Sequence, residues 1–161
     1  MIGQGLRRWR TTWAVGVLVG MLALLQAPAA GTASPAAQAA KRSTLRVNAT
    51  ARLHLVKKDG SILRERGTVT GTPAGSVSAR FNVSKITRTT GTITFKPYGG
   101  GSITVTAVVY PAGSVSRFSG SFAVRRGTGK YANAVGSGTL SGTVNRRTWA
   151  VTATARGTLT Y

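Results

Sequence analysis

An all-β fold, an eight-stranded antiparallel up-and-down barrel, is what this chain of 161 residues predicts. Three observations carry the expectation. From Thr44 to Tyr161 apolar residues recur at every second position, the period of a strand with one buried and one wet face. Seven connecting segments separate these runs, six of them rich in glycine, proline, aspartate or asparagine. No window of the same region has a helical period.

The first strand shows the alternation most cleanly. Leu45, Val47, Ala49, Ala51, Leu53 and Leu55 share one face, and Arg46, Asn48, Thr50, Arg52 and His54 the other. Lys57-Lys58-Asp59-Gly60 then reads as a hairpin, because Asp-Gly suits turns that need positive φ. The second strand runs from Ile62 to Val69, and Gly71-Thr72-Pro73-Ala74-Gly75 turns the chain. Val77, Ala79, Phe81 and Val83 form the third face, and Ser84 to Thr90 reads as a longer connection. Ile93 and Phe95 mark the fourth strand, ended by Pro97-Tyr98-Gly99-Gly100-Gly101. Ile103, Val105, Ala107 and Val109 make the fifth, turned by Pro111-Ala112-Gly113. Phe118, Gly120, Phe122 and Val124 line the sixth. Arg125-Arg126-Gly127-Thr128-Gly129-Lys130-Tyr131 reads as a glycine-rich turn anchored by its tyrosine, before a seventh strand from Val135 to Val144. Asn145-Arg146-Arg147 closes the last turn, and Trp149 to Tyr161 alternates as the eighth strand.

Pro73, Pro97 and Pro111 all fall in turns, as strand boundaries require. Eight strands with short connections can close on themselves and remove both open edges. A two-sheet β-sandwich is the alternative. The recurrent Gly-Thr pairs, such as Gly67-Thr68 and Gly142-Thr143, read in several cases as bends or bulges where a small barrel curves.

Upstream the composition changes. Arg7, Arg8 and Arg10 precede an uncharged apolar run of 13 residues, Trp13 to Leu25, followed by small residues and Ala-x-Ala sites at Ala27-Pro28-Ala29 and Ala37-Gln38-Ala39. That order is a secretory signal peptide, assigned to residues 1–29 with cleavage as late as 39, and the run is too short for a helix that spans a bilayer. Residues 30–43 read as a flexible linker and 44–161 as the barrel domain. Arg7-Arg8 also fits a twin-arginine signal, though an ordinary basic start is the simpler reading. The expected location is therefore extracellular. The chain has 22 lysines and arginines against two acids. Loss of the three leader arginines leaves 19 against Asp59 and Glu65, a formal charge of +17. Such a domain is drawn to anionic surfaces in a salt-dependent way. It has no cysteine, so packing alone stabilises it.

Gly127-Thr128-Gly129-Lys130-Tyr131, followed by Ala134, Gly136 and Gly138, resembles a motif of the allene oxide cyclase and dirigent barrel-like superfamily. There a Gly-Thr-Gly-x-aromatic turn precedes an Ala-x-Gly strand. The likeness is clearest from about Ser114 to Tyr161. It implies an eight-stranded antiparallel barrel, often a homotrimer, with a cavity for an apolar small molecule. In plants such barrels cyclise an epoxide or steer the coupling of phenoxy radicals. The polar cavity groups of those proteins match nothing here residue by residue.

Glu65 is the weak catalytic candidate. It shares a face with Leu63, Gly67 and Val69, so an inward apolar face makes it a lone carboxylate in the barrel, with a raised pKa and the capacity of a general acid. The ordinary alternative places it near a rim, paired with a neighbouring arginine. A pocket with a recessed Glu65 favours an enzyme, and an interior packed solid favours a surface or structural role. No metal site and no cofactor is expected, because one histidine and two carboxylates cannot close one. A nucleophile–histidine–acid triad is not expected, since cysteine is absent and His54 and Asp59 lie too close on one strand and its turn. Gly127 to Lys130 lacks the spacing of a phosphate loop. With Arg125, Arg126 and Lys130 it forms either a small anion nest or, more simply, a hairpin turn.

Alternate turns lie at one end of an up-and-down barrel. One end is expected to gather Lys57, Lys58, Lys85, Arg88, Arg146 and Arg147, and the other Lys96, Arg125, Arg126 and Lys130. A basic rim that contacts anionic cell-surface polymer, polysaccharide or membrane headgroups is the corresponding reading, against a merely solvated surface. The candidate binding residues are thus Arg125, Arg126, Lys130, Tyr131, Lys57, Lys58, Arg146 and Arg147, with Gly127, Thr128, Gly129, Gly136 and Gly138 as turn structure. Specific nucleic-acid binding lacks a stacking row of aromatics. A small outer-membrane barrel is a further alternative, with few aromatics for two girdles. The function expected is binding of an apolar small molecule or an anionic surface polymer, with an isomerase or coupling protein as the alternative.

Overall fold

Strand pairing in the computed structural model runs in sequence order and returns to its start. It describes residues 42–161 apart from Ile86, so the expected signal peptide and most of the expected linker lie outside the described residues. The strands are β1 (Thr44–Asp59), β2 (Ile62–Thr72), β3 (Gly75–Lys85), β4 (Arg88–Pro97), β5 (Ser102–Pro111), β6 (Arg117–Thr128), β7 (Val135–Val144) and β8 (Val151–Thr160). Each pairs antiparallel with the next, and β1 pairs with β8 from Thr44–Thr160 to Leu53–Val151. The sheet is therefore a closed up-and-down barrel, and no β-sandwich forms. Ser43 and Tyr161 exchange two further backbone hydrogen bonds, 2.7 and 2.9 Å, so the last residue assigned to the linker already belongs to the ladder. The described residues fall within one compact unit.

The period-two pattern decides which side chains face in. Leu53, Leu63, Val69, Val77, Ile103, Phe122, Val151 and Leu159 are all buried, and the arginines between them are exposed. Residues of β1, β2, β3 and β8 form one core cluster, with Ala49, Leu53, Val69, Val77, Ala79 and Val151 at its centre. Eight strands leave an interior just wide enough to be filled by side chains or to hold one small ligand.

Three local expectations are corrected. The connection after β3 is short, because β3 runs on to Lys85 and β4 starts at Arg88, with a register shift between Asn82 and Lys85 absorbing the difference. Trp149 lies before β8 and not within it, with φ at 59°, a conformation rare for a bulky side chain. Register shifts fall at Leu55/Lys57, Asn82/Lys85 and Thr104/Val105, and none at a Gly-Thr pair.

The inward glycines instead make room for phenylalanines. Phe81, Phe118 and Phe122 are paired in register with Gly91, Gly142 and Gly138, and each ring lies where a Cβ on the partner would go. A Cβ on Gly138 would lie 2.7 Å from Phe122 Cε1 and also against the Arg156 carbonyl oxygen. Gly138→Ala is thus expected to destabilise the barrel by about 1–3 kcal/mol, the range for overpacking a tight interior. Urea unfolding of the variant beside the wild type checks this.

Candidate functional site

The two ends of the barrel differ. At the end carrying the β6–β7 connection, a single 3-10 turn, Gly129–Tyr131, folds Tyr131 inward. Tyr131 and Ala134 pack there with Ile103 and Leu159, and Tyr131 meets Tyr161 edge-on at 4.7 Å between ring centroids. Gly129 supports this turn with φ at 60°, and a Cβ on Gly127 would collide with the Tyr131 carbonyl oxygen. The glycine motif is accordingly structural, and its tyrosine, 3% exposed, forms part of the plug and presents no binding surface.

Above the plug lies a cavity of about 210 Å³ with an almost wholly apolar lining. Its origin is the closure of the barrel. Ala49 and Ala51 of β1 pair with Ala155 and Ala153 of β8, so four small side chains face inward where strands far apart in sequence meet. Phe81, Phe95, Phe118 and Phe122 line the cavity from other strands. The volume is below the roughly 300–1,000 Å³ of pockets for drug-sized ligands, which suits a small or slender molecule.

Glu65 lines this cavity. It stands in register between Leu55 of β1 and Ala79 of β3, and it is 2% exposed. Neither carboxyl oxygen has a hydrogen-bond partner among the described residues. The expected pairing with a neighbouring arginine does not occur, because Arg64 and Arg66 alternate onto the outer face. Burial away from water penalises the charged form and raises the Glu65 pKa from 4.5 to about 7. At neutral pH this carboxyl can donate a proton or a hydrogen bond into an apolar chamber, which an ordinary surface glutamate cannot.

The opposite end, formed by the β1–β2, β3–β4, β5–β6 and β7–β8 turns, carries the mouth. Tyr110, Val115, Arg117, Arg146 and Trp149 line the cavity there. Asn145 fixes the last turn: its side-chain oxygen accepts the backbone N–H groups of Arg147 (2.9 Å) and Thr148 (3.2 Å). The Trp149 N–H donates to the Asn145 carbonyl at 2.7 Å, which supports the unusual tryptophan backbone. The Arg146 guanidinium donates through Nε (2.8 Å) and Nη2 to the Val115 carbonyl, tying the β5–β6 and β7–β8 loops together. Its Cζ lies 5.7 Å from the centroid of the Trp149 ring, and Lys58 Nζ lies 4.9 Å from it.

Of the basic candidates, Lys58 and Arg146 thus meet at the mouth. Lys57 is at the same end, 3.1 Å from Asp59, whose other oxygen is 4.0 Å from Arg64. Arg147 is exposed on the same turn. Arg125 and Lys130 engage separate partners, and Arg126 stands in register with Thr104. Arg125 sits in the β6 bulge and donates to Thr106 on the outer wall at 3.0 Å, while Lys130 lies over the Tyr131 ring at 5.2 Å. Sequence reasoning missed Arg117, Val115, Tyr110 and Trp149 as mouth residues. It also missed the cavity wall, although four alanines at inward positions were a readable sign of missing volume. No family model matches this chain, and no curated protein is significantly similar to it.

Proposed function

We propose that this is an exported binding protein that holds an apolar small molecule inside its barrel, with a polar atom of the ligand against Glu65. The observation that carries the reading is an unpaired carboxyl group facing a predominantly apolar cavity. Burying such a group without a partner costs free energy, and a ligand oxygen or nitrogen in contact with it offsets that cost. An outer surface of arginine, threonine and serine leaves no continuous apolar band for lipid, which favours a cavity binder over a barrel that spans a membrane. Export rests on the basic, apolar and small-residue order of residues 1–29.

The test is titration with the neutral apolar fluorophore N-phenyl-1-naphthylamine. Saturable one-to-one binding is expected for the wild type. Ala51→Phe, which fills the cavity from β1, is expected to weaken it at least tenfold while the far-ultraviolet circular dichroism of the barrel is kept. Absence of saturable binding, or binding indifferent to the added ring, counts against the proposal.

A second reading, a proton-donating isomerase or coupling protein, is favoured by one observation: Glu65 is buried facing the cavity, and burial raises its pKa to about 7. In that reading Glu65 is the general acid and the alanine wall positions the substrate. Unchanged ligand binding and unchanged stability in Glu65→Gln would retire the catalytic idea.

A further inference from the structure

We propose that the open end of the barrel docks on an anionic lipid bilayer, setting Tyr110, Val115 and Trp149 among the headgroups, so that the cavity is loaded from the lipid phase. The loading half of this inference rests on the ligand-binding reading above. The docking half rests on what the topology gathers at one end. Up-and-down order puts the β1–β2, β3–β4, β5–β6 and β7–β8 turns together. Those turns and the adjoining strand ends carry Lys58, Lys85, Arg88, Arg117, Arg146 and Arg147. The sole carboxylate of that rim, Asp59, already has Lys57 and Arg64 beside it, so the remaining cations face solvent without an internal counter-charge.

Apolar side chains stand among these cations. Val115 is 58% exposed and Tyr110 50% exposed, and both line the cavity mouth. Trp149 is half-buried beside them under Lys58 and Arg146. Arg146 joins the two loops through the Val115 carbonyl, so the apolar tips and the cations form one patch. Mixed basic and aromatic surfaces suit the headgroup layer, where cations meet anionic lipid and amphipathic rings sit at the boundary. A soluble polyanion needs only the cations. It gives no role to exposed valine and tyrosine, and no reason for the cavity to open through them. The plugged end also exposes Tyr98 and Val135 near Lys96, Arg126 and Lys130, but there Tyr131 closes the barrel, so only the open end joins cations and apolar tips to the cavity.

Flotation with vesicles tests the proposal. Residues 42–161 contain the complete closed sheet and fall within a separate compact unit, so this segment is used and the apolar leader cannot contribute. It also holds Trp149 as its single tryptophan, which makes that ring the reporter. Vesicles of phosphatidylcholine with 30% phosphatidylglycerol are compared with pure phosphatidylcholine, and dextran sulfate serves as the soluble polyanion. Expected results are binding at least tenfold tighter to the anionic vesicles and a Trp149 emission shift to shorter wavelength on them. Dextran sulfate should give no such shift, and Val115→Asp should weaken vesicle binding at least tenfold with circular dichroism unchanged. Equal binding to both vesicle types, no emission shift, or indifference to Val115→Asp overturns the proposal. Dextran sulfate binding as tight as vesicle binding, with no shift on either, assigns the rim to a soluble polymer instead. Uptake of the naphthylamine probe in buffer separates the two readings. Uptake without vesicle binding overturns docking alone, and vesicle binding without uptake supports docking and ends both loading and the ligand reading.

Discussion

At pH 8 the Glu65→Gln variant is expected to unfold with more difficulty than the wild type, and at pH 4 the two are expected to match. The folded pKa of Glu65 lies at about 7, above the unfolded 4.5, so the folded state holds the proton more tightly. Between these values the folded protein binds a proton that the unfolded chain has released, and stability falls as pH rises. The contribution is complete below pH 4.5, lost progressively up to pH 7, and constant beyond. A displacement of this size corresponds to about 3 kcal/mol, which is the expected gain of the glutamine variant at pH 8. Glutamine has nearly the shape of a protonated glutamate, so packing does not separate the two proteins at low pH. Urea midpoints at pH 4, 6 and 8 measure the effect. Parallel curves for both proteins would mean that Glu65 is solvated or paired, and the site would lose its distinguishing group.

The second large effect is expected at the plug. Tyr131→Ala removes a side chain that is 3% exposed and packed against Tyr161, at the end where Ile103, Ala134 and Leu159 also converge. Truncation of a buried aromatic typically costs about 3–5 kcal/mol through lost transfer energy and a residual cavity. Tyr131 is the buried residue of the 3-10 turn, so part of that turn is expected to loosen with it. The same change opens a second exit from the chamber. Faster release of the naphthylamine probe, measured by stopped-flow competition, should accompany the loss of stability. Tyr131→Phe keeps the ring and is expected to keep both properties. A variant with wild-type stability would show that Gly127 to Gly138 closes that end without its tyrosine.

The barrel was readable because a strand writes its environment into every second residue. Leu45 to Leu55 and Val151 to Leu159 announce their inward faces without reference to any other strand. Eight such faces joined by short turns leave few closures. Local signals failed where two strands share the cause. Whether β3 ends before or after Ser84 depends on its ladder with β4, and the conformation of Trp149 depends on hydrogen bonds collected by Asn145. Glu65 was legible as an inward carboxyl, but its isolation was not. That follows from the outward turn of both adjacent arginines and from apolar neighbours contributed by β1 and β3.

By itself, then, the order of residues determined the strands, their faces, the charge and the glycine-rich turn, since each depends on neighbours a few positions away. Only the tertiary structure decided that the interior is hollow and which end is open. A cavity is the volume left after eight inward faces are summed, and here it arises where Ala49 and Ala51 meet Ala155 and Ala153 across the closing seam. Nothing within either strand specifies that meeting, because the residues that leave the space are about a hundred positions apart.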